Sequence, residues 1–140
     1  MPIWTLFGEE TMSRYKVLVD SSVWIQYFKT GAVPLLDRLL EEDFVCTNDL
    51  ILTELQPVLM HRGRYDILEA LQALDCIPLR ISWEVIREYQ LMNLRNGLNK
   101  VGIPDLIIVQ QVVEEKLTLF SFDKHFRLMN EFLSFDLIAE

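Results

Sequence analysis

Short apolar runs with strand character alternate with helical segments along almost the whole chain, and this alternation most constrains the fold. The predicted strands are Lys16–Val19, Phe44–Thr47, Cys76–Leu79, Thr118–Ser121 and Asp136–Ile138. The first is apolar on both faces, as a central strand of a parallel sheet should be. The alternation predicts a three-layer α/β/α fold, in which helices cover both faces of a central parallel sheet of four to five strands.

Capping residues set the bounds of the predicted helices. Ser21 or Ser22 is expected to cap the first helix, Asn48 the third and Ser82 the fifth, and Gly31 is expected to end the first. The predicted helical segments are 21–30, 34–42, 49–61, 64–74, 83–96, 104–115 and 124–133.

The length of 140 residues and the 51% content of hydrophobic residues predict one globular domain. We expect residues 1–13 to be an N-terminal extension and residues 14–140 to form the domain. Charges interrupt every apolar run before it reaches the length of a membrane span, and the first ten residues lack the pattern of a signal peptide. A cytoplasmic location is therefore expected. Cys46 and Cys76 lie in predicted strands, without the spacing of a zinc site, and are expected to be reduced and buried.

Four acidic residues lie at or near the points where predicted strands end and helices begin. Asp20 follows the first strand, Asp123 follows the fourth, Asp105 follows a helix-starting proline, and Glu54 lies within an apolar helix. The carboxyl ends of parallel strands meet at one edge of a sheet, where ligands bind. Because four clustered carboxylates repel one another without a cation, the pattern predicts a Mg²⁺ or Mn²⁺ site with oxygen ligands, and a phosphodiester as substrate.

Each acid also has a simpler explanation. The three that stand at helix starts could serve only as caps or as partners of the helix dipole. For Asp20 we expect Ser21 and Ser22 to supply the capping groups, which leaves the carboxylate directed toward the sheet edge. Glu54 could be a boundary residue of its helix, and Asp49 competes with it, although the helix dipole alone accounts for Asp49. The joint occurrence of all four acids favours a functional site.

The net charge of −8 argues against tight, nonspecific binding of nucleic acid. A bound divalent ion would invert the field near the acids, and a strip of basic residues on one face could contact phosphates. The candidates for this role are Arg62, Arg64, Arg95, Lys100, Lys124 and Arg127. His125 lies near Asp123 but is more simply explained as a surface histidine.

Apolar side chains of the first two helices predict a groove for a protein partner close to the candidate site. Its expected lining is Trp24, Tyr27, Phe28, Leu39 and Leu40. Other enzyme classes lack support: no Walker motif or glycine-rich loop follows the first strand, and no serine nucleophile elbow is present. A receiver domain would require paired acids after the first strand, and Asp20 stands alone there.

The chain resembles the PIN-domain ribonucleases and, in size and layout, the VapC-type toxins of bacterial toxin–antitoxin pairs. The resemblance spans residues 15–138 and rests on the order and spacing of four segments, which are 17–23, 53–55, 104–108 and 119–126. It implies a PIN-like, Rossmann-like fold, a homodimer and a cognate antitoxin that covers the groove. It further implies that Asp20, Glu54, Asp105 and Asp123 bind the metal and catalyse, supported by the hydroxyls of Ser21 and Ser121.

The resulting hypothesis is a Mg²⁺- or Mn²⁺-dependent endoribonuclease that uses a metal-activated water and leaves 5′-phosphate and 3′-hydroxyl ends. Two alternatives stay open at this stage. One is a noncatalytic PIN-fold module that binds RNA or protein, and the other is a metal-dependent DNase. The RNA target and the number of metal ions cannot be derived from the sequence.

Overall fold

The computed structural model describes residues 16–139, and the expected N-terminal extension lies outside them. The strands are β1 (Val17–Val19), β2 (Val45–Thr47), β3 (Asp75–Cys76), β4 (Thr118–Phe120) and β5 (Asp136–Ile138). The helices are α1 (Ser21–Thr30), α2 (Pro34–Glu41), α3 (Asp49–His61), α4 (Tyr65–Gln72), α5 (Trp83–Arg95), α6 (Ile103–Glu114) and α7 (Lys124–Met129). The predicted α/β class with a parallel sheet is confirmed.

The five strands form one sheet in the order β3-β2-β1-β4-β5, and every pairing is parallel. The chain moves outward from β1 to β3, returns across the sheet to β4, and continues to β5. Right-handed crossovers therefore place α1 to α4 on one face of the sheet and α5 to α7 on the other. The direction of progression reverses between β1 and β4, and such a switch point opens a crevice at the carboxyl ends of the strands.

The central strands are apolar because both of their faces lie in the hydrophobic core. All residues of β1 and β4 are buried, and the largest fully enclosed side chains include Phe120 and Phe126. Helix α6 is buried along most of its length, from Leu106 to Val112. Within residues 16–139 no helix is both long and apolar enough to cross a membrane.

Most predicted caps are confirmed. The side chain of Asn48 accepts a hydrogen bond from Ile51 N at 2.8 Å, and that of Ser82 accepts one from Val85 N at 3.4 Å. Helix α1 ends at Gly31, whose φ of +71° is the left-handed conformation that glycine adopts most easily.

Strand β3 is shorter than predicted and shifted toward the N-terminus. Its pairing with β2 ends when Ile77 N donates to Thr47 O at 2.8 Å, because the next residue, Pro78, has no N–H to continue the ladder. The carbonyls of Ile77 and Pro78 instead accept from the side chain of Gln111 on α6. Cys76 lies in this short edge strand and is exposed, so the prediction that it is buried is wrong, whereas Cys46 is fully enclosed.

The last helix also ends earlier than predicted, at Met129 instead of Leu133. Beyond Asn130 the chain turns, and Leu133 N donates back to Met129 O at 2.8 Å. This turn buries Leu133 and aligns the chain for β5.

Candidate active site

The switch point between β1 and β4 brings together residues that are about one hundred positions apart in the sequence. Asp20, directly after β1, is only 5% exposed, and its backbone N–H donates to Phe120 O at 2.9 Å. Ser121, directly after β4, donates its hydroxyl to Asp20 Oδ2 at 2.9 Å. The side chain of Asp20 therefore lies at the sheet edge where the crevice opens.

A second hydroxyl, from Ser22, also donates to Asp20 Oδ2, at 2.8 Å. Each hydroxyl accepts a backbone N–H in return: Ser22 Oγ from Phe122 N and Ser121 Oγ from Asp123 N, both at 3.0 Å. The two serines thus connect the end of β1 to the turn after β4. This network positions the Asp20 carboxylate with little freedom to rotate.

The expectation that Ser21 or Ser22 caps α1 is wrong. Asp20 occupies the N-cap position, although its side chain makes no capping hydrogen bond. Both serine hydroxyls face acids instead, since Ser21 Oγ donates to Glu54 Oε2 at 3.2 Å. Carboxylates drawn out of water require donors, and these hydroxyls supply them. The importance of Ser22 was missed because a serine at a helix start is usually explained by capping.

Glu54 lies in α3 and is exposed as a whole residue, but its carboxyl group faces the site. Partial burial of that carboxyl raises its pKa, the Ser21 hydrogen bond lowers it, and the charge of Asp20 raises it further. The competing acid, Asp49, lies one turn and a half nearer the start of α3, where Cys76 Sγ is 3.8 Å from its Oδ1. The geometry therefore favours Glu54 over Asp49 as the acid that α3 contributes.

Asp105 lies in the first turn of α6, and its side chain is 24% exposed. Its pKa is raised from 3.8 to about 6, chiefly by burial and then by the charges of Asp123 and Asp20. Glu54 contributes in the same direction, and His125 opposes the shift. All three other candidate acids therefore act electrostatically on Asp105, which shows that the four share one neighbourhood.

Asp123 and His125 complete the cluster on the α7 side. Asp123 Oδ1 accepts the backbone N–H of His125 at 2.9 Å and so caps α7. The His125 ring lies over the acids, with Nδ1 3.5 Å from Asp123 Oδ1 and 3.9 Å from Asp105 Oδ2. Its interpretation as an ordinary surface histidine is thus wrong: the side chain is only 27% exposed and belongs to the site. Its position two residues after Asp123 was the available signal.

The donor set fits a divalent cation. One ligand atom each from Asp105, Asp123 and His125 lies within 4.8 Å of the others, which makes these the tightest such group among residues 16–139. Asp20 and Glu54 lie outside this group but act on Asp105. The mutual repulsion that raises the pKa of Asp105 is what a cation among the carboxylates would relieve. Predominantly oxygen donors suit Mg²⁺ and Mn²⁺.

The basic candidates divide into two sets. Lys100 and Lys124 line a cleft of about 160 Å³ together with His125. Lys124 and Arg127 line a neighbouring cavity of about 430 Å³ on the same side of α7. Arg95 is the last residue of α5, and the next residue, Asn96, lines an adjacent cavity of about 240 Å³.

Arg62 and Arg64 line none of these three cavities. Arg62 follows the last residue of α3, about 12 Å along the helix axis from Glu54. Arg64 pairs with Asp66, with Nε and Oδ1 3.3 Å apart. A role of Arg62 and Arg64 in contacting phosphates therefore stays a prediction, at a distance from the cavities beside His125.

The predicted partner groove is only partly available. Trp24 and Leu39 are 2% and 0% exposed, so they belong to the core, and the prediction that they line an open groove is wrong. Tyr27 packs edge-on against Trp24, with ring centroids 6.2 Å apart. The partly buried Tyr27, Phe28 and Leu40 are the members of the set that a partner could contact.

The acids of this chain gather at the switch point of a parallel sheet, on the carboxyl edge of the strands, where α/β proteins bind their ligands. The model of the PIN domain family matches residues 17–131, and the chain belongs to this family. A search among curated proteins gave no match.

Solved structures share the fold. A chain of the DNA-bound VapBC from Salmonella typhimurium superposes with a TM-score of 0.71 at 14% identity, over 89% of this chain and 98% of that one. A chain of VapBC2 from Rickettsia felis, bound to a DNA fragment from their promoter, gives 0.71 at 16% identity with the same coverage of 89% and 98%. PAE2754 from Pyrobaculum aerophilum gives 0.59 at 14% identity, over 94% and 88%.

Proposed function

We propose that this protein is a metal-dependent endoribonuclease and the toxin of a VapBC-type toxin–antitoxin pair. The proposal rests on one observation above all: Asp20, Glu54, Asp105 and Asp123 lie near one another at one sheet edge, where burial and the charges of the other three raise the pKa of Asp105. Such an arrangement is costly for a folded protein, and a bound cation is the simplest reason to retain it. Membership of the PIN family and the likeness to VapBC structures point the same way.

The four acids and His125 would together hold a cation, and the cation would bind the phosphodiester. Asp105 and Asp123 would supply the nearest oxygens, Asp20 and Glu54 would complete the site, and His125 lies beside them. A bound cation would lower the pKa of a water molecule bound to it and would neutralise charge on the phosphate oxygens.

The serine hydroxyls and the basic groove act on position and orientation. Ser22 and Ser121 hold Asp20 in one rotamer, so that its carboxylate is already oriented before substrate binds. Lys100 and Lys124, beside His125, would attract and orient the phosphates next to the cleaved bond.

The chemistry predicts its own products. When water attacks phosphorus and the 3′-oxygen of the ribose is the leaving group, the products carry a 5′-phosphate and a 3′-hydroxyl. A route through the ribose 2′-hydroxyl would give a cyclic phosphate and normally uses two placed histidines. His125 lies in the site, but His61 ends α3, seven residues beyond Glu54. End-group analysis of the fragments should therefore detect 5′-phosphates, and cyclic phosphates would refute this route.

The decisive experiment uses purified protein, freed of any bound partner, with structured cellular RNAs and matched DNA in Mg²⁺, Mn²⁺ or EDTA. We expect cuts in RNA that require the metal and disappear in Asp20→Asn, whose folding is verified by circular dichroism. Cleavage of DNA alone would replace the proposal with a DNase. The absence of cleavage in both metals would favour a noncatalytic binding module.

The partner proposals follow from the same fold. We expect a cognate antitoxin to contact the exposed parts of Tyr27, Phe28 and Leu40, and the chain itself to form a homodimer. Copurification of the chain with a small protein partner and sedimentation of the isolated chain would test the two statements separately. A chain that is monomeric at all concentrations would remove the homodimer.

A further inference from the structure

A small cleft opens beside the acids, between the connection from α5 to α6 and the first turn of α7. Its volume is about 160 Å³, and it is lined by Gly97, Leu98, Asn99, Lys100, Val101, Lys124, His125 and Leu128. His125 joins it to the candidate metal site, because the same ring lies within 4 Å of Asp105 and Asp123. We call this space the α7 cleft.

The walls of the α7 cleft combine three kinds of group. Leu98 and Leu128 provide apolar surface, Asn99 provides one amide, and Lys100 and Lys124 provide positive charge. The cleft is small and open to solvent, since Asn99, Lys100 and Lys124 are exposed. Proteins hold an extruded nucleobase with this combination, using apolar faces against the ring and polar groups at its edge.

The cleft continues into a groove along α7. Cavities of about 430 Å³ and 240 Å³ adjoin it, and all three share Leu128. Arg127 extends the positive charge beyond Lys124, and Glu131 lies at the far end, where it would repel a phosphate. The positive stretch is therefore short and centred on the α7 cleft, which suits the backbone on either side of one bound nucleotide.

We propose that the α7 cleft binds the base of a nucleotide next to the cleaved phosphate, and that Asn99 discriminates among bases by hydrogen bonding to its edge. The inference rests on the proposed function, since it assumes a nucleic-acid substrate in the acidic site. An amide offers one donor and one acceptor, and the bases present these groups in different arrangements. The base must be unpaired, because a base within a duplex stays stacked and cannot place its face and edge against these walls.

The test is selection of short, unpaired RNAs of random sequence on Asp20→Asn protein in Mg²⁺, followed by sequencing of the bound fraction. We expect enrichment of one base at one position. Asn99→Ala should reduce that enrichment about fivefold to tenfold, as loss of one hydrogen bond would. Leu128→Ala should weaken binding of the same base. Gln72→Ala, an exposed amide on α4, is the matched control and should retain the enrichment.

The outcomes distinguish failure of the base-binding proposal from failure of the proposed nuclease function. No enrichment in the parent protein, or equal enrichment in the Asn99→Ala and Gln72→Ala proteins, would overturn the base cleft. Equal weakening of all sequences by Asn99→Ala would also overturn it, because that outcome indicates contact with the backbone alone. Base enrichment without cleavage by the unmodified chain would reject the proposed nuclease and keep the cleft.

Discussion

Replacement of Asp105 by asparagine should make the metal-free protein more stable at neutral pH. The carboxyl group of Asp105 is partly buried, and this burial, followed by the charges of Asp123, Asp20 and Glu54, raises its pKa from 3.8 to about 6. A raised pKa means that the folded state resists ionisation of this group more than the unfolded state does. Asparagine has nearly the same shape and no charge, so it removes the penalty and keeps the packing.

The size and the sign follow from linkage. Each unit of pKa shift corresponds to about 1.4 kcal/mol, so ionised Asp105 costs about 3 kcal/mol when the pH is well above 6. Between pH 3.8 and 6 the folded state binds more protons than the unfolded state, so the free energy of unfolding falls as pH rises. The penalty is fully present near pH 7.5 and shrinks to less than about 1 kcal/mol at pH 4.

The assay is urea denaturation of wild-type and Asp105→Asn protein in EDTA at several pH values between 4 and 8. The variant should gain up to about 3 kcal/mol at pH 7.5, or roughly 10 °C in melting temperature, and little at pH 4. Asp136→Asn, which neutralises an exposed acid on β5, is the control and should change stability little at any pH. A variant no more stable than wild type at pH 7.5, or a gain independent of pH, would refute the electrostatic argument.

Three further predictions concern neighbouring parts of the site. Mg²⁺ or Mn²⁺ should raise the melting temperature of wild type and do so less in Asp105→Asn, as differential scanning fluorimetry would show; equal shifts would argue against a cation at these acids. Ser121→Ala removes a buried donor to Asp20 and should cost about 1–3 kcal/mol in urea denaturation and lower the cleavage rate; unchanged stability and rate would mean that the hydroxyl network has no positioning role. Lys124→Ala should weaken RNA binding and reduce the slope of log affinity against log salt by about 0.7, whereas Arg64→Ala should not; equal effects would contradict the division of the basic residues.

Local sequence patterns were sufficient to predict the strands and most of the helix caps. The run at 17–19 was predicted to be a central strand because it is apolar on both faces, and the structure confirms this. Asn48 and Ser82 could be identified as caps because their hydroxyl or amide groups act on a backbone only three residues away. Pro78 could also have ended β3 in the prediction, since proline cannot continue a ladder.

Interactions between residues that lie far apart in the sequence were harder to predict from it. Nothing in a local pattern distinguishes a serine that caps a helix from one that donates to Asp20 or Glu54. The same holds for Trp24, whose place in an amphipathic helix is compatible with a groove but whose surroundings bury it completely. Gln111 is a further example: it lies on an apolar helix, yet its amide bonds to Asn48 and to the chain after β3.

The sequence by itself determined the order of strands and helices, the parallel class of the sheet and the positions of acids at element ends, because each depends on residues close together in the chain. Only the tertiary structure decided which groups share the site. His125 joined the acids, and burial together with the charges of Asp123, Asp20 and Glu54 raised the pKa of Asp105. Burial and electrostatic energy depend on distances through space, and the crossovers between strands fix those distances.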